Sequence, residues 1–289
     1  MIKLIVDTTC DLNSDITDNY EVGVIPLNIV IGDKSYLDNV EMTADQIYEK
    51  MKQGIVPKTS QASYESITKA FDKCIDNEED FIYLAFSSKM SGTYNFAKNI
   101  LNTYKEKYPE RKMAIVDSEG GCGGSSIMAI QILKMIEQGL FFETILEQIE
   151  FMKENIVYYF TVDDLEWLAK GGRVSKPLGF VGNKLKLKPY LTVKDGKMIV
   201  TRIFRGSKKV FNHLVEDVQK GTVNFKDQII GISHSNDLDK ALELEEIFKN
   251  TIEGCKTTIF QICGVLGSHI GLGGVGIFFF KEKPKHYQF

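Results

Sequence analysis

Short, uninterrupted apolar runs that stop at small polar residues punctuate the chain: KLIVDTT (3–9), FIYLAFSS (81–88), MAIVDSEGG (113–121) and QIIGISHSND (228–237). Runs of this length, rich in β-branched and aromatic residues, suit strands covered on both faces. Between them the apolar positions recur at helical spacing. In SYESITKAFDKCI (63–75), Ile67, Ala70, Phe71 and Cys74 share one helix face, and Ser63 is placed to cap the first turn. Residues 91–108 repeat the pattern with Tyr94, Ala97, Ile100, Leu101 and Tyr104, and 125–139 reads as a third helix closed by Gly139. Strand then helix, repeated, predicts a mainly parallel sheet with helices on both sides.

The second half has a different rhythm. A helix at 141–154 leads into IVYYFTV, a short helix DDLEWLAK ended by a glycine pair, and KLKPYLTVKDGKMIVTRIFRG, which reads as paired strands turning at Asp195-Gly196. A helix at 207–220 and further strands complete a mixed α+β pattern. The expected organisation is therefore a two-domain α/β protein, with an N-terminal domain at 1–157 and an α+β domain at 158–289. The run 260–280, FQICGVLGSHIGLGGVGIFFF, approaches the roughly 20 residues of a membrane span. Its six glycines, its histidine and the absence of a positive flank upstream predict instead a buried strand, loop and strand. Gly271, Gly273 and Gly276 spell G-x-G-x-x-G, yet they lead into a strand with no acidic residue twenty positions on, so the dinucleotide reading fails.

Composition narrows the function classes. A chain of 289 residues with 43% apolar residues, 26% charged residues and six prolines is folded throughout and large enough to enclose a ligand. A net charge of -4 without a basic face argues against nucleic acid as a partner. The lysines of GNKLKLKP (182–189) read as the wet side of a strand. Five dispersed cysteines without a CxxC pair fit neither a disulfide scaffold nor zinc, and suit a reducing cytoplasm. The opening MIKLIVDTTCDL is interrupted by Asp7 and does not read as a signal peptide. No G-x-x-x-x-G-K-[ST], G-x-S-x-G or H-E-x-x-H motif occurs, so neither a resident ATP site nor a metal is expected.

In parallel α/β sheets ligands collect at the carboxyl ends of strands, where helix N-termini aim unpaired N–H groups. The polar residues there are Asp7, Thr8 and Thr9; Ser87, Ser88, Ser91 and Gly92; Asp117 and Ser118; and His234 and Ser235. The stretch SSKMSGTY suits a carboxylate or phosphate, and PKTSQASYES adds Thr59, Ser60 and Ser63, more hydroxyls than capping requires. Arg173 follows the glycine pair and can grip an anion through two parallel hydrogen bonds. His269 stands in a glycine loop where its charge could change near neutral pH. A second reading of the same residues is a serine-dependent acyl hydrolase or transferase, with Ser91 or Ser88 as nucleophile, His269 as base and Asp7 or Asp117 orienting it. A third, a small-molecule kinase, would require ATP binding by the chain itself.

Taken together, DTTCDL (7–12), TSQAS (59–63), SSKMSGTYNFA (87–97), VDS (116–118), LAKGGRVS (168–175), LKLKPYL (185–191) and the late histidine resemble the DegV family, in the family's order along nearly the whole chain. The resemblance implies two domains with a long-chain fatty acid buried between them, in the fatty-acid-binding subunit of a bacterial fatty acid kinase that serves phospholipid metabolism. A separate catalytic subunit would supply ATP and convert the bound carboxylate to an acyl phosphate. It further implies that Thr59, Ser60, Ser91, Gly92 and His269 bind the ligand and that Arg173 and His269 support phosphoryl transfer, with no cofactor beyond the lipid. Membrane contact would be confined to transient lipid exchange. Three features depart from the family pattern: Ala62 where proline is frequent, Leu272 where GPG would read, and the glycine-rich SEGGCGGSS.

Overall fold

Each of the four apolar runs becomes a strand in the computed structural model, which describes residues 1–174 and 187–289. In chain order the first half comprises β1 (Ile2–Asp7), α1 (Ser14–Thr17), β2 (Gly23–Ile25), β3 (Asn28–Ile31), β4 (Lys34–Leu37), α2 (Ala44–Lys52), β5 (Lys58–Ser60), α3 (Tyr64–Asp76), β6 (Asp80–Ala85), α4 (Thr93–Lys107), β7 (Met113–Asp117), α5 (Cys122–Glu137) and α6 (Phe142–Asn155). There follow β8 (Ile156–Thr161), α7 (Leu165–Gly171), β9 (Leu187–Lys194), β10 (Lys197–Arg205), α8 (Ser207–Gly221), β11 (Ile229–His234), α9 (Leu238–Thr251), β12 (Lys256–Gln261), α10 (Gly264–Ile270) and β13 (Val275–Phe280). Ser175 and residues 182–186 of the lysine-rich run lie outside the described residues.

The first sheet is wholly parallel, in the order β2-β1-β6-β7. The second is mixed, in the order β10-β9-β8-β13-β11-β12, with only β11 and β12 parallel. A small antiparallel sheet, β4-β3-β5, projects from the first half. Helix α5 links the two large sheets. Its Ile127, Ile130 and Leu133 share one core with Leu4 and Leu84 of the first sheet and with Tyr158, Phe260 and Phe278 of the second. Because α5 is buried on nearly every side, it lacks the polar stripe of a surface helix.

The segment read as strand, loop and strand is in fact strand, helix, loop and strand. Gly264 and Gly267 disfavour a helix by propensity, but tertiary packing overrides that preference. A Cβ at Gly264 would lie 2.7 Å from the Ile29 side chain and 2.8 Å from Asp38, and one at Gly267 would meet the Tyr48 ring at 2.6 Å. The glycines thus let α10 press against α2 and the small sheet. Three consecutive amides at its start are satisfied by carboxylates from the other end of the chain. Cys263 N–H donates to Asp11 at 2.8 Å, and Gly264 and Val265 N–H donate to Asp38 at 3.1 and 3.2 Å. Asp38 is 0% exposed, so these bonds form away from water.

Two outcomes follow from this clasp. Asp38→Ala strands two buried amides and is expected to lower the unfolding free energy by about 2–6 kcal/mol in urea titrations. Burial raises the Asp11 carboxyl from 3.8 to about 7. The folded chain holds that proton more tightly than the unfolded one, so the associated stability is complete below 3.8 and is lost as pH rises to about 7. Asp11→Asn keeps an acceptor for Cys263 N–H and is expected to flatten that pH dependence; an unchanged slope contradicts the assignment.

Candidate functional site

A cavity of about 360 Å³ opens where the carboxyl end of the first sheet faces the second sheet and α10. Its apolar wall comes from both halves, including Leu27, Phe86, Phe160, Met198, Leu266 and Phe278. Its polar lining includes Thr59, Ser60, Gln61, Ser91, Gly92, Arg173 and His269, with Thr161 from β8. The six residues to which the family resemblance gave a site role, Thr59, Ser60, Ser91, Gly92, Arg173 and His269, all line this cavity.

The polar residues are joined by a continuous set of contacts. Pairing of β5 with β3 sets Thr59 opposite Ile29, and Asn28 Nδ2 donates to the Gln61 carbonyl at 2.8 Å. Ala62 N–H donates to Thr93 Oγ1 at 3.3 Å, and Thr93 Oγ1 lies 3.0 Å from Ser91 Oγ. Ser91 also accepts from Thr93 N–H at 3.2 Å, which braces the first turn of α4. Gly92 precedes that helix as its cap, and a Cβ there would approach Gln61 Oε1 to 2.2 Å. Arg173 Nε donates to the Met90 carbonyl at 3.2 Å and NH1 to the Gly171 carbonyl at 2.5 Å. Among the described residues no carboxylate lies within ion-pair distance of Arg173, which lines the cavity.

His269 lies in the last turn of α10 rather than in a glycine loop. Its Nε2 is 2.7 Å from Thr59 Oγ1. The expectation that its charge changes near neutral pH is overturned: burial, reinforced by the positive Arg173, pushes the imidazole down to about 4. The ring is neutral at pH 7.

At the apolar side the glycines of SEGGCGGSS have a steric purpose. A Cβ at Gly121 would meet the Phe86 ring at 2.5 Å, at Gly124 the Tyr158 ring at 2.2 Å, and at Gly123 the Phe278 ring at 2.6 Å. Bare backbone at the start of α5 lets three aromatic rings from two sheets close over the cavity.

The remaining polar residues at strand ends brace the scaffold. Asp7 accepts from Phe86 N–H at 2.8 Å and Tyr83 O–H at 3.0 Å, tying β1 to the end of β6. Asp117 accepts from Ser88 and Glu119 N–H, Ser87 Oγ donates to the Gly196 carbonyl at 2.7 Å, and Ser235 Oγ accepts from Gly274 N–H. His234 Nδ1 accepts from Asp237 N–H at the start of α9. These contacts do not assemble the hydrolase arrangement: Ser91 bonds Thr93, His269 bonds Thr59, and Asp7 and Asp117 are engaged elsewhere. Among the described residues no group of three His, Cys, Asp or Glu is placed to hold a metal ion, and no helix is long and apolar enough to cross a membrane.

A parallel sheet and a mixed sheet joined by a buried helix, with a cavity whose lining combines apolar side chains, hydroxyls and an arginine, define an α/β protein with an amphipathic pocket. The chain belongs to the DegV family, whose model matches residues 1–282. It is 32% identical over 285 residues to a DegV domain-containing protein of Clostridium perfringens, covering 98% of both chains. Among solved structures it resembles a stearic-acid-binding protein from Eubacterium ventriosum, with a TM-score of 0.89 at 27% identity over 96% of this chain and 97% of that one. It also resembles a DegV family protein from Thermus thermophilus described by its fatty acid binding, with a TM-score of 0.85 at 27% identity over 96% and 98% of the two chains.

The depressed imidazole has a measurable consequence. A histidine whose folded-state value lies below 6.5 supports stability that is full above 6.5 and is lost as pH falls toward about 4. In an NMR titration the His269 ring is expected to stay neutral from about pH 8 down to about pH 5, where an unperturbed imidazole would already be charged. A midpoint near 6.5 contradicts the site geometry.

Proposed function

We propose that the chain binds one long-chain fatty acid, with the tail along the apolar wall and the carboxylate at the Thr59–Ser91–Arg173–His269 end, and presents that carboxylate to a separate kinase subunit. The observation that carries this reading is the division of a single cavity into an apolar wall and a hydroxyl-rich, cationic end. The fatty acids bound by its relatives in Eubacterium ventriosum and Thermus thermophilus support it. On this reading residues 1–157 and 158–289 are the two domains that close on the tail.

Burial of a methylene contributes about 0.8 kcal/mol, so a chain of roughly sixteen carbons offers about 12 kcal/mol before ordering costs. The tail therefore dominates affinity and the polar end sets orientation. The hydroxyls of Thr59, Ser60 and Ser91 donate to the carboxylate, the N-terminus of α4 at Gly92 adds favourable dipole, and Arg173 balances the charge. In the kinase step a carboxylate oxygen attacks the terminal phosphorus of ATP held by the partner, giving an acyl phosphate and ADP. The lack of a phosphate-binding loop in this sequence supports that division of labour. The five cysteines, all free thiols, support a reducing cytoplasmic setting.

Mass spectrometry of ligand extracted from the purified protein is expected to find a long-chain fatty acid; a consistently polar metabolite would defeat the proposal. Ser91→Ala is expected to weaken fatty acid binding by about 1–3 kcal/mol in a calorimetric titration. Arg173→Ala and His269→Ala should retain co-purified lipid yet slow its phosphorylation by the partner kinase. Lost lipid with undiminished phosphorylation of added fatty acid would reverse those roles.

A further inference from the structure

Gly171, the last residue of α7, touches both charged or chargeable groups at the polar end of the cavity. Its carbonyl accepts from Arg173 NH1 at 2.5 Å. Its Cα faces the imidazole: a Cβ at 171 would lie 2.1 Å from His269 Nδ1 and 3.1 Å from Cε1. The left-handed backbone of the glycine pair belongs to Gly172, at φ 70°. Contact with the ring, rather than chain conformation, is therefore what requires glycine at 171.

The two ring nitrogens have unequal surroundings. Nε2 lies 2.7 Å from Thr59 Oγ1, whereas Nδ1 is buried without a hydrogen-bond partner among the described residues. One neutral tautomer would seal an unpaired N–H against Gly171, whose carbonyl already serves Arg173; the other leaves only a lone pair there. Orphaned buried N–H groups are much rarer than under-used acceptors. We infer that Gly171 is a positioning residue that seats His269 as the Nε2–H tautomer, so that the ring donates to Thr59 Oγ1 and the Thr59 hydroxyl proton is free to be given to a ligand in the cavity. Burial and the facing Arg173, the groups that disfavour a charged ring, agree with this state. Toward the ligand His269 acts through Thr59, not as a cation. This assignment rests on the reading that a carboxylate binds at this end.

Long-range proton–nitrogen NMR of the unaltered protein at pH 7 is expected to show a protonated Nε2 and an unprotonated Nδ1; the opposite tautomer, or a rapidly averaging ring, overturns the inference. Gly171→Ala is expected to displace the ring, raise its titration from about 4 toward 6.5, and weaken binding of a long-chain fatty acid several-fold. The same loss is expected from Thr59→Val, with no further loss when the two are combined. Additive losses, or an unmoved ring titration in a Gly171→Ala protein of unchanged circular dichroism, overturn it as well. If the unaltered protein binds no fatty acid, the carboxylate reading fails, while the tautomer spectrum still decides the role of Gly171.

Discussion

The site depends on one piece of electrostatics, the docking of α10 through buried carboxylates from the far end of the chain. Asp11 and Asp38 accept the amides of Cys263, Gly264 and Val265, residues more than 220 positions away in sequence. A helix this short has little stability of its own, because nucleation is unfavourable and its glycines add to the cost. The carboxylates and the close contacts with Ile29 and Tyr48 supply what the segment lacks. Once α10 is seated, His269 falls beside Thr59, and Leu266 becomes cavity wall. Structural contacts and cavity-lining groups are therefore carried by the same short helix.

The cavity results from a similar exchange of side-chain volume for backbone. At the start of α5, glycines at 121, 123 and 124 make way for the rings of Phe86, Phe278 and Tyr158. These rings come from two sheets, so the closed apolar wall exists only when both sheets pack on α5. At the other side, the Thr59 hydroxyl is held by His269, the hydroxyls at the α4 start by neighbouring amides, and the arginine by two carbonyls. Polar groups fixed before a ligand arrives lose little freedom on binding, which allows a modest number of contacts to orient a long flexible chain.

Much of this was legible in the sequence, for identifiable reasons. The strands β1, β6, β7 and β11 were readable as apolar runs ending in small polar residues, and α3 and α4 from their helical periodicity. Ser91, Gly92 and Arg173 could be singled out because they follow a strand or a glycine pair, where backbone geometry opens onto a crevice, Thr59 and Ser60 because they belong to a hydroxyl cluster before a helix, and His269 as the one histidine of a glycine-studded apolar run. The β3–β4 hairpin was not recognised, although NIVI and KSYL flank a Gly-Asp turn that signals one. Helix α10 was not readable, because its stability comes from Asp11 and Asp38, and no local pattern marks a contact of that sequence separation. The neutrality of His269 was likewise hidden: residue type gives an ordinary value, and only burial next to Arg173 moves it.

The central claim is that a fatty acid lies in this cavity with its carboxylate at the Thr59–His269 end. Its most direct test is NMR of a long-chain fatty acid labelled with carbon-13 at the carboxyl and bound to the unaltered protein. The account predicts carboxyl contacts to the Thr59 and Ser91 side chains, and a carboxyl titration displaced below that of the free acid by Arg173. A carboxyl that titrates as in solution, or that contacts Tyr158 and Phe278 instead, would contradict it.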